Sequence, residues 1–317
     1  MILKNPNDEL REKILLLFLS TIVFFSAAWV LYILGLTSPD IGQYEIIWDR
    51  TKDTNFFNAY SEHRYEIGSY FLFWNLTQVF SAAMTFYFFG LIALSAKFHV
   101  FKKYFNYPLI VFCIYTLTFA YFLDANQIRA ALAVTVLLYA LCVPPRNSFS
   151  YFILAIIAVQ FHYSGIFILI FYFIRAPLFG LALFVVTSFV FDWLIVSLSY
   201  LSFAKIWLSN SDGQVNLTSS TFIMQVCIAI VCAFFWNKLS EQQKKGAYLN
   251  AFGVVAYVAF IDNALVAHRI RELSMLGILA VLFLGEKRLT YVKFISAICL
   301  AYITLYNLVA VVHRLAS

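Results

Sequence analysis

The sequence predicts an all-α integral membrane protein, a polytopic bundle of about 10–12 transmembrane helices forming a single domain over residues 1–317. Two observations predict it. Only 12% of the residues are charged while 63% are hydrophobic, and the mean hydropathy is +0.83. A soluble domain carries about 25% charged residues, so the makings of a water-facing surface are missing. Apolar runs also recur along nearly the whole chain, many approaching the roughly 20 residues that carry a helix across a bilayer. Runs such as 14–34 and 70–94 are apolar on all sides. A membrane β-barrel would instead show segments of about ten residues with strict alternation.

In chain order the apolar segments are 14–35, 70–95, 108–123, 127–143, 150–161, 165–174, 177–191, 220–236, 247–263, 273–285 and 291–312. The first is too long for a signal peptide and lacks a small-residue cleavage site, so it reads as a retained helix. The pair at 150–161 and 165–174 is short for two full spans. It reads as half-helices or tilted helices buried in the bundle.

Charge sets the orientation. With the N-terminus in the cytoplasm, the cytoplasmic loops hold Lys97, Lys102, Lys103, Arg146, Arg175, Lys238, Lys244, Lys245, Lys287, Arg288 and Lys293. Only Glu241 and Glu286 share those loops, as the positive-inside bias requires. The other side carries Asp40, Glu45, Asp49, Asp53, Glu62, Glu66, Asp124, Asp192, Asp212, Asp262 and Glu272. Its cations are mostly arginine (Arg50, Arg64, Arg129, Arg269 and Arg271), with Lys52 and Lys205 beside them. Arginine near helix ends suits planar, bidentate recognition of phosphate or carboxylate. The longest outer loops are about 36–69 and 192–219. The second, with Trp193, Tyr200 and Trp207, reads as an interfacial amphipathic element.

The formal net charge of +6 lies in short loops between apolar runs, which argues against nucleic acid as a partner. All five cysteines fall inside apolar runs, with no Cys–x–x–Cys or Cys/His ligand spacing, so neither disulfides nor a zinc site is indicated.

Four polar groups converge on the outer side. The first is Arg64-Tyr65-Glu66-Ile67-Gly68, where Gly68 permits a tight start to the next helix and places Arg64 and Glu66 at the membrane edge. The second is Asp124-Ala125-Asn126-Gln127-Ile128-Arg129. There Asp124 or Asn126 caps a helix whose first turn holds Arg129, a cation that opposes the helix dipole and demands an anion. The third is Phe161-His162-Tyr163-Ser164, and the fourth is Asp262-Asn263 followed by His268-Arg269-Ile270-Arg271-Glu272. Each has a plainer reading. Arg64 with Glu66 can be a solvated loop pair, Arg129 can pair with Asp124 or snorkel, His162 can be a packing histidine, and Arg269 and Arg271 can be surface charges. Their shared side favours a cation-rich cavity for an anionic substrate arriving from the bilayer. A lipid-linked phosphate or diphosphate is the matching class. Arginine forks would hold the phosphates, and a carboxylate or histidine would deprotonate an attacking hydroxyl.

At these motifs the chain resembles the EpsG family, a branch of the Wzy-like bacterial polysaccharide polymerases. The similar features are Asp40-Ile-Gly-Gln-Tyr44, Tyr65-Glu66-Ile67-Gly68, Gln127-Ile128-Arg129-Ala130-Ala131-Leu132-Ala133, Phe161-His162-Tyr163-Ser164 and the late Arg269/Arg271 pair. The resemblance implies a GT-C-like, metal-independent glycosyltransferase without cofactor in the bacterial inner membrane. It would join undecaprenyl-diphosphate-linked oligosaccharide units on the periplasmic or outer face. It also implies a possible chain-length regulator as partner. By the same resemblance Arg129 would bind the donor diphosphate, assisted by Arg269 or Arg271. His162 or Glu66 would be the base, and Tyr163, Gln127 and Asp40 would support the site or contact sugar. Arg64 and Asp124 complete the substrate-binding candidates. The competing readings are an O-antigen ligase-like GT-C transferase, disfavoured by the short late outer segment, and a flippase of lipid-linked oligosaccharide. A flippase calls for polar groups through the depth of the bundle.

Overall fold

The computed structural model describes residues 18, 20–30, 32–33, 41–63, 66–125, 128–143, 149–197, 215–285 and 291–316. Asp40, Arg64, Gln127, Arg146, Tyr200, Lys205, Trp207, Asp212, Glu286, Lys287 and Arg288 lie outside the described residues. Among those described, every regular element is helical.

The chain begins with α1 (Ser20–Val30), then α2 (Ile41–Thr51), α3 (Phe56–His63), α4 (Ile67–Thr77) and the long α5 (Ala82–Tyr104). Next come α6 (Pro108–Tyr115), a π-helical segment (Thr116–Ala125), α7 (Ile128–Cys142), α8 (Phe149–Val159) and a 3-10 helix (Tyr163–Phe173). The second half holds α9 (Pro177–Ser197), α10 (Ser220–Phe234), a 3-10 turn (Trp236–Lys238), α11 (Glu241–Ala259), α12 (Ala264–Ser274), α13 (Leu276–Phe283) and α14 (Tyr291–Ala316). Helices α5 and Tyr291–His313 of α14 are long and apolar enough to cross a bilayer by themselves. The 23 residues of α5 reach about 35 Å at 1.5 Å per residue.

Burial runs the way a lipid solvent dictates. The core around Phe101, Phe112, Tyr115, Leu138, Tyr248 and Leu279 is apolar. So is the outside: Ile156 on α8, Val186 and Phe189 on α9, and Ile298, Leu305 and Val309 on α14 are all exposed. In water such continuous apolar faces would aggregate; in a bilayer they are the solvated surface.

One end of the bundle gathers lysine. The Asn106 backbone N–H donates to Phe283 O at 2.9 Å and its Nδ2 to Gly285 O at 3.1 Å. Gln243 Nε2 donates to Val281 O at 3.0 Å. Lys245 Nζ donates to Ala140 O at 3.0 Å and also reaches Val143 O, so a cation satisfies the orphan carbonyls ending α7. The ends of α5, α7 and α13 thus meet the start of α11, which puts Lys102, Lys103, Lys244 and Lys245 at one end of the bundle. Helices α11 and α13 touch through Gly246 and Gly277; a Cβ on Gly277 would lie 2.2 Å from Gly246 O.

Two expectations are corrected. The run 70–95 is not one helix. It folds at residues 78–81 into α4 and α5, which lie antiparallel, with Phe73 on Phe86 at 6.0 Å between ring centroids. The turn hides in sequence because Thr77, Gln78 and Ser81 are uncharged and no Gly or Pro marks it, while Asn75 and Thr85 interrupt the same run inside the helices. Gln78 Nε2 reaches Thr51 O at 3.3 Å, tying the turn to α2.

The second correction concerns Lys97 and Asp124, assigned by charge to opposite sides. Helix α5 continues to Tyr104, so Lys97 belongs to the helix rather than to a loop. Its Nζ lies 2.8 Å from Asp124 Oδ1, both side chains almost wholly buried. Asp124 therefore neither caps α7 nor faces outward; it ends the π segment as half of an internal ion pair. A buried charge costs so much in a bilayer that pairing overrides the topological rule.

Candidate functional site

The site is assembled where the start of α4 docks on the turn between α8 and the 3-10 helix. The Gly68 and Ser69 backbone N–H groups both donate to Gln160 O, at 2.8 and 3.1 Å. Only glycine allows that approach, since a Cβ at Gly68 would lie 2.7 Å from the same oxygen. Ser69 Oγ donates to Phe161 O and contacts Arg129 O at 3.4 Å, which draws in α7. Glu66 precedes α4 without capping it by its side chain. Its carboxylate turns inward instead: Oε2 accepts from Arg129 Nη1 at 3.1 Å, and Oε1 accepts from the Tyr163 backbone N–H at 3.3 Å. The Glu66 side chain is 14% exposed against 32% for Arg129, so the pair is partly screened by solvent. The anion that a cation in the first turn of α7 demands is Glu66, not Asp124.

His162 lies in the turn between α8 and the 3-10 helix and caps the latter. Its Nδ1 accepts from the Ser164 backbone N–H at 3.2 Å and lies 2.8 Å from Ser164 Oγ. Burial first, then the Arg129 and Arg269 guanidiniums, hold its pKa down to about 3. The ring is neutral, and with Nδ1 occupied its proton sits on Nε2, which makes it a donor. Tyr163 stacks on it at 4.1 Å between ring centroids and is itself exposed.

Tyr44, Arg129, Ala130, His162, Tyr163, Leu265 and Arg269 line one cavity of about 110 Å³. It holds about three or four waters at roughly 30 Å³ each, which is the scale of a phosphate group. Arg269 has no carboxylate within ion-pair distance among the described residues. Segments from four parts of the chain thus deliver two guanidiniums, an imidazole and the phenols of Tyr44 and Tyr163 to one small cavity, with the Glu66 carboxylate behind Arg129. Residues 14–316 match the EpsG family.

The chain belongs to the EpsG family. No curated protein and no solved structure matches it. Members of the EpsG family are Wzy-like polysaccharide polymerases.

Not every candidate residue of this EpsG-family chain reaches the cavity. Arg271 points to the other face of α12. There its guanidinium lies over Tyr257 at 4.7 Å, and Nη1 is 3.4 Å from both Ser219 Oγ and Thr221 Oγ1. Its Nε has no hydrogen-bond partner among the described residues. Asp124 is occupied elsewhere by Lys97 and by the Tyr115 hydroxyl, which donates to Oδ2 at 2.9 Å. Ser69 and Leu265, which the structure adds to the site, lie outside the four polar groups. Neither carries a signal of its own, for a serine in an apolar helix and a leucine in a helix start are ordinary. Their neighbours Gly68 and Asn263, which begin those helices, are the only pointers to them.

Proposed function

We propose that this protein polymerises polysaccharide by joining undecaprenyl-diphosphate-linked oligosaccharide repeat units. The observation that carries this reading is the pair of guanidiniums, Arg129 and Arg269, sharing a phosphate-sized cavity with the His162 ring. In the reaction an acceptor hydroxyl attacks the anomeric carbon of the donor. The new glycosidic bond forms as the bond to the diphosphate breaks, and polyprenyl diphosphate departs with the electron pair. Arg129 and Arg269 would neutralise the charge that grows on that leaving group, the work a divalent cation does in other transferases. The chemistry is metal-independent in this reading, and the architecture GT-C-like.

Glu66 suits the base, because its carboxylate has lone pairs left after two hydrogen bonds and lies beside Arg129. His162, with Nδ1 filled, would instead donate from Nε2 to a phosphate or sugar oxygen. Tyr163, exposed at the mouth, would stack on sugar; Gln127, Asp40 and Arg64 complete the proposed substrate contacts. The lysine-rich end faces the cytoplasm in this reading, as does the N-terminus. The site then works from the outer side of the inner membrane, where a lipid-borne donor substitutes for nucleotide sugars. A chain-length regulator is a proposed partner.

The test is purified protein given lipid-linked repeat units without nucleotide sugar or added metal. Longer lipid-linked chains are expected. Transport of the unit across liposomes without lengthening would replace this reading with a flippase.

A further inference from the structure

The buried pair inside the bundle has no part in the cavity, yet it touches what positions the cavity. Lys97 Nζ sits 2.8 Å from Asp124 Oδ1 and donates to Ala131 O at 2.6 Å. Asp124 ends the π segment, and Ala131 lies in the first turn of α7, two residues after Arg129. Lys97, from a third helix, α5, therefore holds the last turn of the π segment and the first turn of α7 at once. Tyr115, on α6, holds the second carboxylate oxygen. An ion pair wholly inside a membrane bundle is expensive, and apolar side chains of similar volume would fill the space at no penalty. We infer that the Lys97–Asp124 pair is a positioning clamp that fixes the first turn of α7 and so aims the Arg129 guanidinium into the cavity.

The inference rests on the proposed role of Arg129. The π segment supplies the reason a clamp is needed. Its wide winding departs from the α-helical ladder just before α7 and sets Asp124 against Lys97. Asn307 Nδ2 to Thr118 O at 3.0 Å and Thr118 Oγ1 to Thr304 Oγ1 at 2.6 Å steady its far side against α14. The Lys97 contacts steady the side facing α7. A displacement of about 1 Å at a charge-stabilising group costs on the order of 100-fold in rate.

The experiment is a coupling cycle between the clamp and Arg129. Elongation rates are measured for wild type, Arg129→Lys, the paired replacement Lys97→Met/Asp124→Leu, and the combination. Melting of each purified variant reports folding. The clamp predicts that the paired replacement melts near wild type but elongates at least tenfold more slowly. It also predicts that Arg129→Lys costs much less in that background than alone, because a misaimed guanidinium has little left to lose. A folded paired variant with wild-type elongation overturns the inference, as do strictly multiplicative losses. If the paired variant does not fold, Tyr115→Phe decides. It keeps the ion pair and removes one hydrogen bond to Asp124, so a several-fold loss coupled to Arg129→Lys supports the clamp, and wild-type elongation overturns it. Normal elongation by Arg129→Lys alone would instead remove the role of Arg129 itself.

Discussion

Arg129 Nη1 and Glu66 Oε2 meet at 3.1 Å across 63 residues of sequence, joining the first turn of α7 to the start of α4. Each residue alone would be poorly placed. The cation opposes the dipole of its own helix, and the carboxylate has left the capping position that would suit it. Together they set a proton acceptor directly behind a guanidinium that lines the cavity. Glu66→Gln keeps the shape and removes the basic lone pair; Arg129→Lys keeps the charge and removes the planar fork. Each is expected to lower elongation by about 100-fold or more, with melting within a few degrees of wild type. Elongation assays on folded protein check this, and normal polymer length in either variant would remove that residue from the chemistry.

The two late arginines are expected to part company. Successive residues on a helix turn by about 100°, so positions two apart face nearly opposite ways. Arg269 lines the cavity, whereas Arg271 is buried over Tyr257 beside Ser219 and Thr221. Arg269→Gln should slow elongation at least tenfold more than Arg271→Gln does. The ratio of the two rates under saturating substrate is the measurement. The reverse order would move the diphosphate to the other face of α12.

Much of this was legible in the sequence for definable reasons. Scarce charge announced the apolar helical bundle, and lysines gather at one of its ends. The Glu66–Gly68, Ile128–Ala133 and Phe161–Ser164 stretches met because polar residues in an apolar bundle must satisfy one another. What failed did so through long-range pairing. Nothing near Lys97 in sequence reveals Asp124, so each was placed by the rule for unpaired charges. The turn at 78–81 was invisible because lipid-facing and core-facing helices share one apolar alphabet. The Arg269/Arg271 separation was readable from helical phase, but a motif treats neighbours as one unit.

His162 should leave a mark on acid stability. Its folded pKa, near 3, lies below the unfolded value of about 6.5. Between those values the unfolded chain binds the proton and the folded one does not, so this residue makes stability fall as pH drops from about 6.5 toward 3. Above about 6.5 it adds no pH dependence. His162→Gln removes that contribution, so its melting temperature should decline less steeply than wild type between pH 7 and pH 4. Parallel curves for the two proteins would show that the imidazole protonates freely in the folded state.

Sidedness is the condition on which the proposed chemistry depends, and the structure changes which residues can report it. Asp124 is sealed against Lys97 and unsuited to labelling. Asp49, on α2, and Asp262, just before α12, are exposed instead. At the lysine-rich end Lys103 is exposed, and the Glu241 side chain is 68% exposed. In a background lacking the five natural cysteines, cysteines at 49 and 262 should react with a membrane-impermeant maleimide on intact spheroplasts. Those at 103 and 241 should react only after permeabilisation. The bias of lysine toward one end predicts this polarity, and so does the chemistry, since a diphosphate carried by a lipid must meet Arg129 and Arg269 on the side where polymer accumulates. Reversed labelling would put the cavity in contact with cytoplasmic nucleotide sugars and remove the reason for a lipid-linked donor.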